Sequence, residues 1–220
     1  MAEAYTSAPD GSGPAPGAPG RRRELRAQGR RTMERLLDAG LAVFAERGYH
    51  ATRVDDVVRV ARTSHGTFYL YFANKEDLLR ALAVDCAARL ETLSGEIGAI
   101  DSGPAGFGAL RAFLADFLAV YERYGPVIRA WMEGQVGDPE VDRLGMHAFA
   151  AIRSVLTDRM GAVGAVADDE VAATALMAMI ERFSYVVASQ RLAGDAEVVL
   201  DTVAQIVHRG FFGAPGPAPA

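Results

Sequence analysis

This sequence of 220 residues contains one cysteine, Cys86, one tryptophan, Trp131, and one lysine, Lys75, among its 23 basic residues. A single cysteine excludes an intrachain disulfide bond and a zinc site built from several cysteines, which is typical of proteins in a reducing compartment. We expect Cys86 to be a small buried residue rather than a reactive thiol.

Catalytic motifs are also lacking. The sequence has no phosphate-binding loop pattern, no HExxH and no GxSxG, and its four histidines lie too far apart along the chain to indicate a metal site. We therefore predict that the protein is not an enzyme and needs neither a metal ion nor an organic cofactor.

Long hydrophobic runs are missing as well. No segment has an unbroken apolar run of about 18 residues, which predicts that no segment spans a membrane. Residues 1–20 are rich in Pro, Gly, Ala and Ser and lack the apolar core of a secretion signal, so they are predicted to be a disordered arm. Residues 214–220 are predicted to be a disordered tail. These features favour a cytoplasmic protein with no membrane partner.

The charged residues are distributed unevenly. Residues 20–80 hold 13 Arg or Lys against 8 Asp or Glu, whereas residues 81–220 hold 10 against 18. A basic unit joined to an acidic body indicates a polyanion-binding module on a body that does not bind polyanions.

Apolar residues at three- and four-residue steps predict an all-α protein of about nine helices. A first helix is predicted from about Leu25 to Arg47, ended by Gly48 in a left-handed cap. A second helix of about two turns follows a capping-box pattern at residues 52–55, and a third begins after Ser64 and runs to about Phe72. A long fourth helix begins at Lys75. Breaks at residues 102–104, 125–126 and 137–139 separate the helices that follow.

The first three predicted helices form a helix-turn-helix pattern. Two short helices are joined by a tight turn and braced by a longer helix before them, and in such motifs the second short helix enters the major groove of DNA. We therefore interpret residues 21–74 as a DNA-binding domain and residues 75–213 as a separate helical body.

The same region resembles a known family. Residues 30–82 resemble the DNA-binding domain of the TetR (tetracycline repressor) family in many residue types at fixed offsets. The matching residues are Phe44, Gly48, Tyr49, Ala51, Thr52, Val54, Asp56, Val57, Ala61, Ser64, Gly66, Thr67, Phe68, Tyr69, Tyr71, Phe72, Lys75, Leu78 and Leu79. The family usually has Gly-Val where this chain has Arg62-Thr63, so a left-handed backbone at Arg62 would cost about 1 kcal/mol.

Hydroxyl, imidazole and guanidinium groups around the predicted turn can reach base edges or phosphates, and a glycine allows close approach to the DNA backbone. The resemblance implies that Tyr69 faces DNA, whereas Tyr71 could equally rest on the first helix with its hydroxyl at the phosphates. Lys75 is predicted to clamp a phosphate. The predicted DNA-binding residues are Thr52, Arg53, Arg62, Thr63, Ser64, His65, Gly66, Thr67, Tyr69, Tyr71 and Lys75.

The arginine-rich segment 21–31 leaves two alternatives open. Such a run is either a solvated tail or, beside a DNA-binding unit, a segment that follows phosphates or enters a minor groove.

For the body, the last two helices carry apolar faces beyond what one chain needs, which predicts a homodimer through those helices, as the resemblance also implies. The resemblance further implies a ligand cavity within the body. Bulky, flexible residues suit such a cavity, although each could equally fill a core. The predicted pocket residues are Phe113, Phe117, Tyr121, Trp131, Met132, Met146, Phe149, Met177, Glu181 and Phe183.

A second resemblance concerns the type of ligand. The stretch from Met177 through Val199–Val203 to Phe212-Gly213 is similar to the group of the mycobacterial ethionamide-activation repressor, whose members have long apolar tunnels. This favours a small lipophilic effector. The function expected is a homodimeric repressor that binds a palindromic DNA operator and is released by that effector. The alternative is a dimeric DNA-binding protein that needs no ligand.

Overall fold

The computed structural model describes residues 19–132, 138–189 and 194–213, which form eight α-helices and no strand. Side chains are described from residue 27 onward. The helices are α1 (Pro19–Arg47), α2 (Val54–Val60), α3 (His65–Tyr69), α4 (Lys75–Glu96), α5 (Pro104–Met132), α6 (Pro139–Val163), α7 (Asp169–Ala188) and α8 (Ala196–Phe211). The predicted all-α class is confirmed.

The predicted break at Gly125-Pro126 is wrong, because α5 continues through Pro126. Proline removes one backbone N–H donor from a helix, but its fixed φ is compatible with helical geometry. Gly125 is buried, and a Cβ there would lie 3.1 Å from the ring of Tyr121. Two helices predicted as separate are therefore one helix across this point. The second of these was predicted to run from Val127 to Val136, and its residues 133–136 lie outside the described residues.

Other helix boundaries differ by a few residues. Helix α1 begins at Pro19, six residues before the predicted start, and α3 ends at Tyr69 rather than Phe72. The predicted disordered arm and tail fall almost entirely on residues 1–18 and 214–220, which lie outside the described residues, as do the side chains of residues 21–26 and the predicted helix end at Leu192.

Helix α4 belongs to two packing units. It contacts α1 on one side and packs against α5 and α6 on the other, while α7 packs on α5 and α6 and α8 packs on α5. Apolar side chains fill both units: Leu36, Phe44, Val57 and Phe68 among α1 to α3, and Leu82, Leu90, Leu110, Phe117 and Ile152 in the body. Helix α4 is therefore shared by the first three helices and the body.

Helix α7 is long and apolar enough to cross a membrane by length and composition alone, which the sequence-based prediction had not recognised. Its buried residues, which include Leu176 and Ile180, pack against α5 and α6. Only 33% of its most apolar stretch is buried in the monomer. This helix therefore leaves apolar surface uncovered.

Candidate nucleic-acid interface and effector pocket

The turn between α2 and α3 is closed by the backbone. Arg62 has φ +51°, its N–H donates to the Arg59 carbonyl at 3.2 Å, and the Thr63 N–H donates to the Val58 carbonyl at 3.0 Å. These two hydrogen bonds, together with the left-handed backbone of Arg62, form a Schellman cap at the end of α2. The left-handed backbone expected at Arg62 is confirmed, at a position where glycine would adopt it without a steric penalty.

Helix α3 is short and its start is capped. The Ser64 hydroxyl accepts a hydrogen bond from the Thr67 N–H at 3.1 Å and lies 3.0 Å from the Thr67 hydroxyl. Ser64, Gly66 and the side chain of Tyr69 are exposed, with Tyr69 57% exposed, and Thr63 and Thr67 are half-buried. Phe68 lies on the opposite face and is fully buried. The helix thus has one buried apolar face and one hydrogen-bonding face, but Leu70, which the apolar pattern would also bury, is 82% exposed.

His65 is paired with α2. Its Nε2 lies 2.6 Å from Oδ1 of Asp55, and both side chains are exposed. To contact a base or phosphate, the imidazole ring of His65 would therefore have to bind it alongside the Asp55 carboxylate or break its contact with that carboxylate.

Thr52 is not available to DNA, contrary to the prediction. It is 2% exposed, and its hydroxyl donates to the Gly48 carbonyl at 2.8 Å. The capping box also lies one residue later than predicted: Arg53 is the N-cap of α2, and its N–H donates to the Asp56 carboxylate at 3.3 Å. The Arg53 side chain is exposed and remains a candidate phosphate ligand.

Asp56 is a residue that the sequence-based prediction missed. It is buried, and its carboxylate also lies 2.8 Å from the Arg59 guanidinium and 3.4 Å from that of Arg47 at the end of α1. The capping-box pattern could have identified Asp56, which lies three residues after the N-cap. The prediction placed the capping box one residue too early, at residues 52–55.

The ammonium group of Lys75 binds backbone carbonyl groups of the turn between α1 and α2. Its Nζ donates to the carbonyl oxygens of Tyr49, His50 and Thr52 at 3.1 to 3.2 Å and stands 4.7 Å from the centroid of the Tyr49 ring. All three N–H donors of the ammonium are thus used. Burial and the Glu76 carboxylate raise the pKa of Tyr49 to about 12. These contacts make Lys75 a tether between α4 and the α1–α2 turn, and the phosphate clamp stays a prediction.

Tyr71 rests on α1, one of the two alternatives left open for it. It is half-buried, and a Cβ at Gly29 would lie 3.5 Å from its hydroxyl oxygen. Its hydroxyl therefore lies at the N-terminal half of α1.

Two contacts join the first three helices to the body. A Cβ at Gly40 of α1 would lie 2.9 Å from Cδ2 of Leu78 on α4, so glycine permits the two helices to approach closely. The guanidinium of Arg123 on α5 lies 2.9 Å from the Asp38 carboxylate of α1. The first three helices and the body are thus held by both apolar and ionic contacts.

An apolar pocket of about 360 Å³ opens between α5, α6 and α7. Five predicted residues line it: Met132, Met146, Phe149, Met177 and Glu181. The others are Ala150, Arg153, Thr174 and Ala178. Arg153 was missed, although its spacing of four residues from Phe149 places both on one face of α6.

The other predicted pocket residues lie elsewhere. Phe113, Phe117 and Tyr121 are buried in the core between helices, and Trp131 stacks edge-on against Phe149 with ring centroids 6.4 Å apart. Phe183 lines a space of only about 10 Å³ between α5, α7 and α8. That space is too small for a water molecule. The second resemblance implied a long apolar tunnel, and the described residues form none here.

Larger clefts are more polar. One of about 630 Å³ lies between α1 and α4 beside Glu34, Asp38, Asp85 and Arg123, and one of about 420 Å³ lies beside His208 and Arg209. The α5–α6–α7 pocket combines an apolar lining with few polar groups, which is the usual composition of a small-molecule site.

A helix-turn-helix unit with an exposed second helix is a motif that binds the major groove of DNA, and here it is joined through a shared helix to a helical body. Residues 36–82 match the family described as bacterial regulatory proteins, tetR family. The chain is 47% identical over 47 residues, 21% of its length, to the fatty acid metabolism regulator protein of Bacillus subtilis and spans 24% of that protein.

Solved structures extend the likeness to the whole fold. A bacterial regulatory protein in the tetR family from Rhodococcus RHA1 has a TM-score of 0.66 at 20% identity, covering 84% of this chain and 98% of that one. The transcriptional regulator FadR from Bacillus subtilis in complex with stearoyl-CoA has a TM-score of 0.59 at 18% identity, with coverage of 83% and 99%. Residues 36–82 are thus similar to the DNA-binding domain of the tetR family, and the solved structures show that the described helices share the fold of these proteins.

Proposed function

We propose that this protein is a homodimeric transcriptional repressor that binds a palindromic operator and is released by a small apolar effector. The observation that carries the proposal is the double membership of α4, which packs against α1 and, on its other side, forms a wall of the body with α5 and α6. A change in the body is therefore passed to the DNA-binding helices without an intervening flexible linker.

In this proposal α3 enters the major groove. Tyr69 and Thr67 present hydroxyls to base edges or phosphates, and Gly66 allows close approach. The exposed guanidinium groups of Arg53 and Arg62 contact phosphates on either side of the groove. His65 joins them when it leaves Asp55.

The dimer forms through α7 and α8. Helix α7 carries half-buried Met179 and Val186, and α8 exposes 62% of Val198 and 59% of Ile206. A second copy buries these residues about a twofold axis and places the two α3 helices about 34–36 Å apart, in successive major grooves. A protein acting on chromosomal DNA in this way works in the cytoplasm.

The effector binds in the α5–α6–α7 pocket. The fatty acid metabolism regulator and the FadR complex named above bear names that point to acyl compounds, and the apolar lining here suits a ligand of that general character. Effector and operator oppose each other by one coupling free energy, which is the same measured from either site.

The first experiment measures binding of the full chain to duplexes from its own upstream region and to a random duplex of equal length, at several salt concentrations. A preference for the upstream duplex with a dimer bound supports the repressor. Equal affinity for both duplexes would refute it. Operator binding that no apolar compound weakens would favour the ligand-independent DNA-binding protein instead.

A further inference from the structure

We propose that the effector is an amphipathic anion, whose apolar body lies against the methionines and Phe149 of the α5–α6–α7 pocket and whose acidic group binds Arg153. This inference rests on the proposed function, since it specifies the chemical class of the ligand that the same pocket takes.

The pocket wall suits an unbranched or irregular apolar body. Met132 and Met146 are 55% and 68% exposed at its mouth, whereas Met177 is nearly buried. Thioether side chains adapt to ligands of different shape because they are unbranched and polarisable. Two large exposed apolar side chains on facing helices also cost hydration free energy, which a bound ligand would recover.

Arg153 is the polar group available to a ligand. It is exposed, it lines the pocket, and no described residue forms an ion pair or hydrogen bond with its guanidinium. By contrast, Arg111 pairs with Asp201 and Glu197, and Arg159 donates to the carbonyls of Ile97 and Gly98. A free guanidinium beside an apolar wall suits a carboxylate, which it can bind through two parallel N–H donors.

Glu181, the acid that lines the pocket, is already occupied. Its carboxylate accepts a hydrogen bond from the hydroxyl of Tyr121 at 2.9 Å. One turn along α7, Tyr185 is flanked by two guanidinium groups, those of Arg129 and Arg182, at 5.5 and 4.8 Å from the ring centroid. Among the described residues that line the pocket, the two charged groups are the guanidinium of Arg153 and the carboxylate of Glu181, which is already hydrogen-bonded. This arrangement favours an anionic ligand over a cationic one.

The test compares three probes that share one alkyl chain and differ in the head group: decanoate, decanol and decyltrimethylammonium. Affinities for the full-length protein are measured by calorimetry below the micelle concentration. Fluorescence of Trp131, the only tryptophan, gives a local signal because its ring contacts Phe149 in the pocket wall. We expect decanoate to bind at least about tenfold more tightly than decanol, and the ammonium probe to bind most weakly.

Variants locate the head group. Arg153→Gln should remove the tenfold preference for decanoate while leaving decanol affinity unchanged, and Arg153→Lys should restore part of it. Arg143→Gln is the matched control, because Arg143 is an exposed arginine on the same helix that does not line the pocket. Folding of Arg153→Gln is checked by its melting temperature, which we expect to be unchanged.

Each alternative outcome overturns the inference in its own way. Equal binding of decanoate and decanol would leave an apolar effector but no anion site. Preference for the ammonium probe would assign the pocket to a cation at Glu181. An equal loss in Arg143→Gln would show a general charge effect. Binding of none of the probes would refute the pocket itself, whereas loss of operator preference in the duplex experiment would refute the repressor and leave the probe affinities standing.

Discussion

Replacing Lys75 by methionine distinguishes a tether from a phosphate clamp. The substitution keeps an unbranched side chain of similar length and removes only the ammonium, which donates to three carbonyl oxygens of the α1–α2 turn. A hydrogen bond from a charged group contributes about 1.5–3 kcal/mol, but water can solvate part of these carbonyls in the variant. The contact with the Tyr49 ring adds about 0.5–1 kcal/mol. We expect the free energy of unfolding to fall by about 2–4 kcal/mol, because water replaces only some of the lost hydrogen bonds.

The assay combines thermal unfolding with a salt titration of operator binding. The stability loss corresponds to a melting temperature lower by about 4–16 °C for a chain of this size. The slope of log affinity against log salt should stay the same, because the tether neutralises no phosphate. The exposed Arg53 offers the opposite control: Arg53→Gln should lower the slope by about one unit and leave the melting temperature unchanged. An unchanged melting temperature with a slope lower by one unit in Lys75→Met would refute the tether.

Three further predictions concern the recognition helix, its turn and the body. Tyr69→Phe should weaken operator binding with little effect on unfolding, whereas Phe72→Ala should cost about 3–5 kcal/mol in denaturant titrations, since Phe72 is 3% exposed; equal stability losses would mean that the helix faces are assigned wrongly. Arg62→Gly should raise stability by about 0.5–1 kcal/mol because φ is +51° there, and should also weaken DNA binding; a lower melting temperature would contradict the strain. Gly145→Ala should destabilise the protein by about 1–3 kcal/mol, since its Cβ would lie 2.6 Å from the ring of Trp131; a neutral effect would show that the indole moves freely.

The DNA-binding domain was largely predictable because its signals are local. A hydroxyl at Ser64 caps the helix that follows within three residues, and Gly48, with φ +77°, ends α1 as glycines do. Helical periodicity alone places Phe68 on the buried face of α3 and Tyr69 on the exposed face. Interactions of this kind depend on residues within one or two turns, so the sequence contains all their partners.

The candidate pocket was predictable only in part. Residues of the right type were identified, but three of the ten, Phe113, Phe117 and Tyr121, fill the core, because an aromatic side chain that lines a cavity and one that fills a core follow the same periodicity. Pro126 was taken as a break because proline lacks a backbone N–H donor, which is a local signal. The burial of residues on both sides of Pro126, which include Tyr124 and Val127, against the other helices of the body is visible only in the folded chain.

The sequence by itself determined the helical class, the helix-turn-helix with its exposed second helix, and the asymmetry of charge between the two parts of the chain. Tertiary structure decided what Lys75 binds, since its carbonyl partners lie 23 to 26 residues away. It also decided that Thr52 is buried and that Arg153 meets an apolar pocket. The physical reason is the same in each case: helix formation and capping are short-range, whereas the partner of a long charged side chain is set by which helices the folded core brings together.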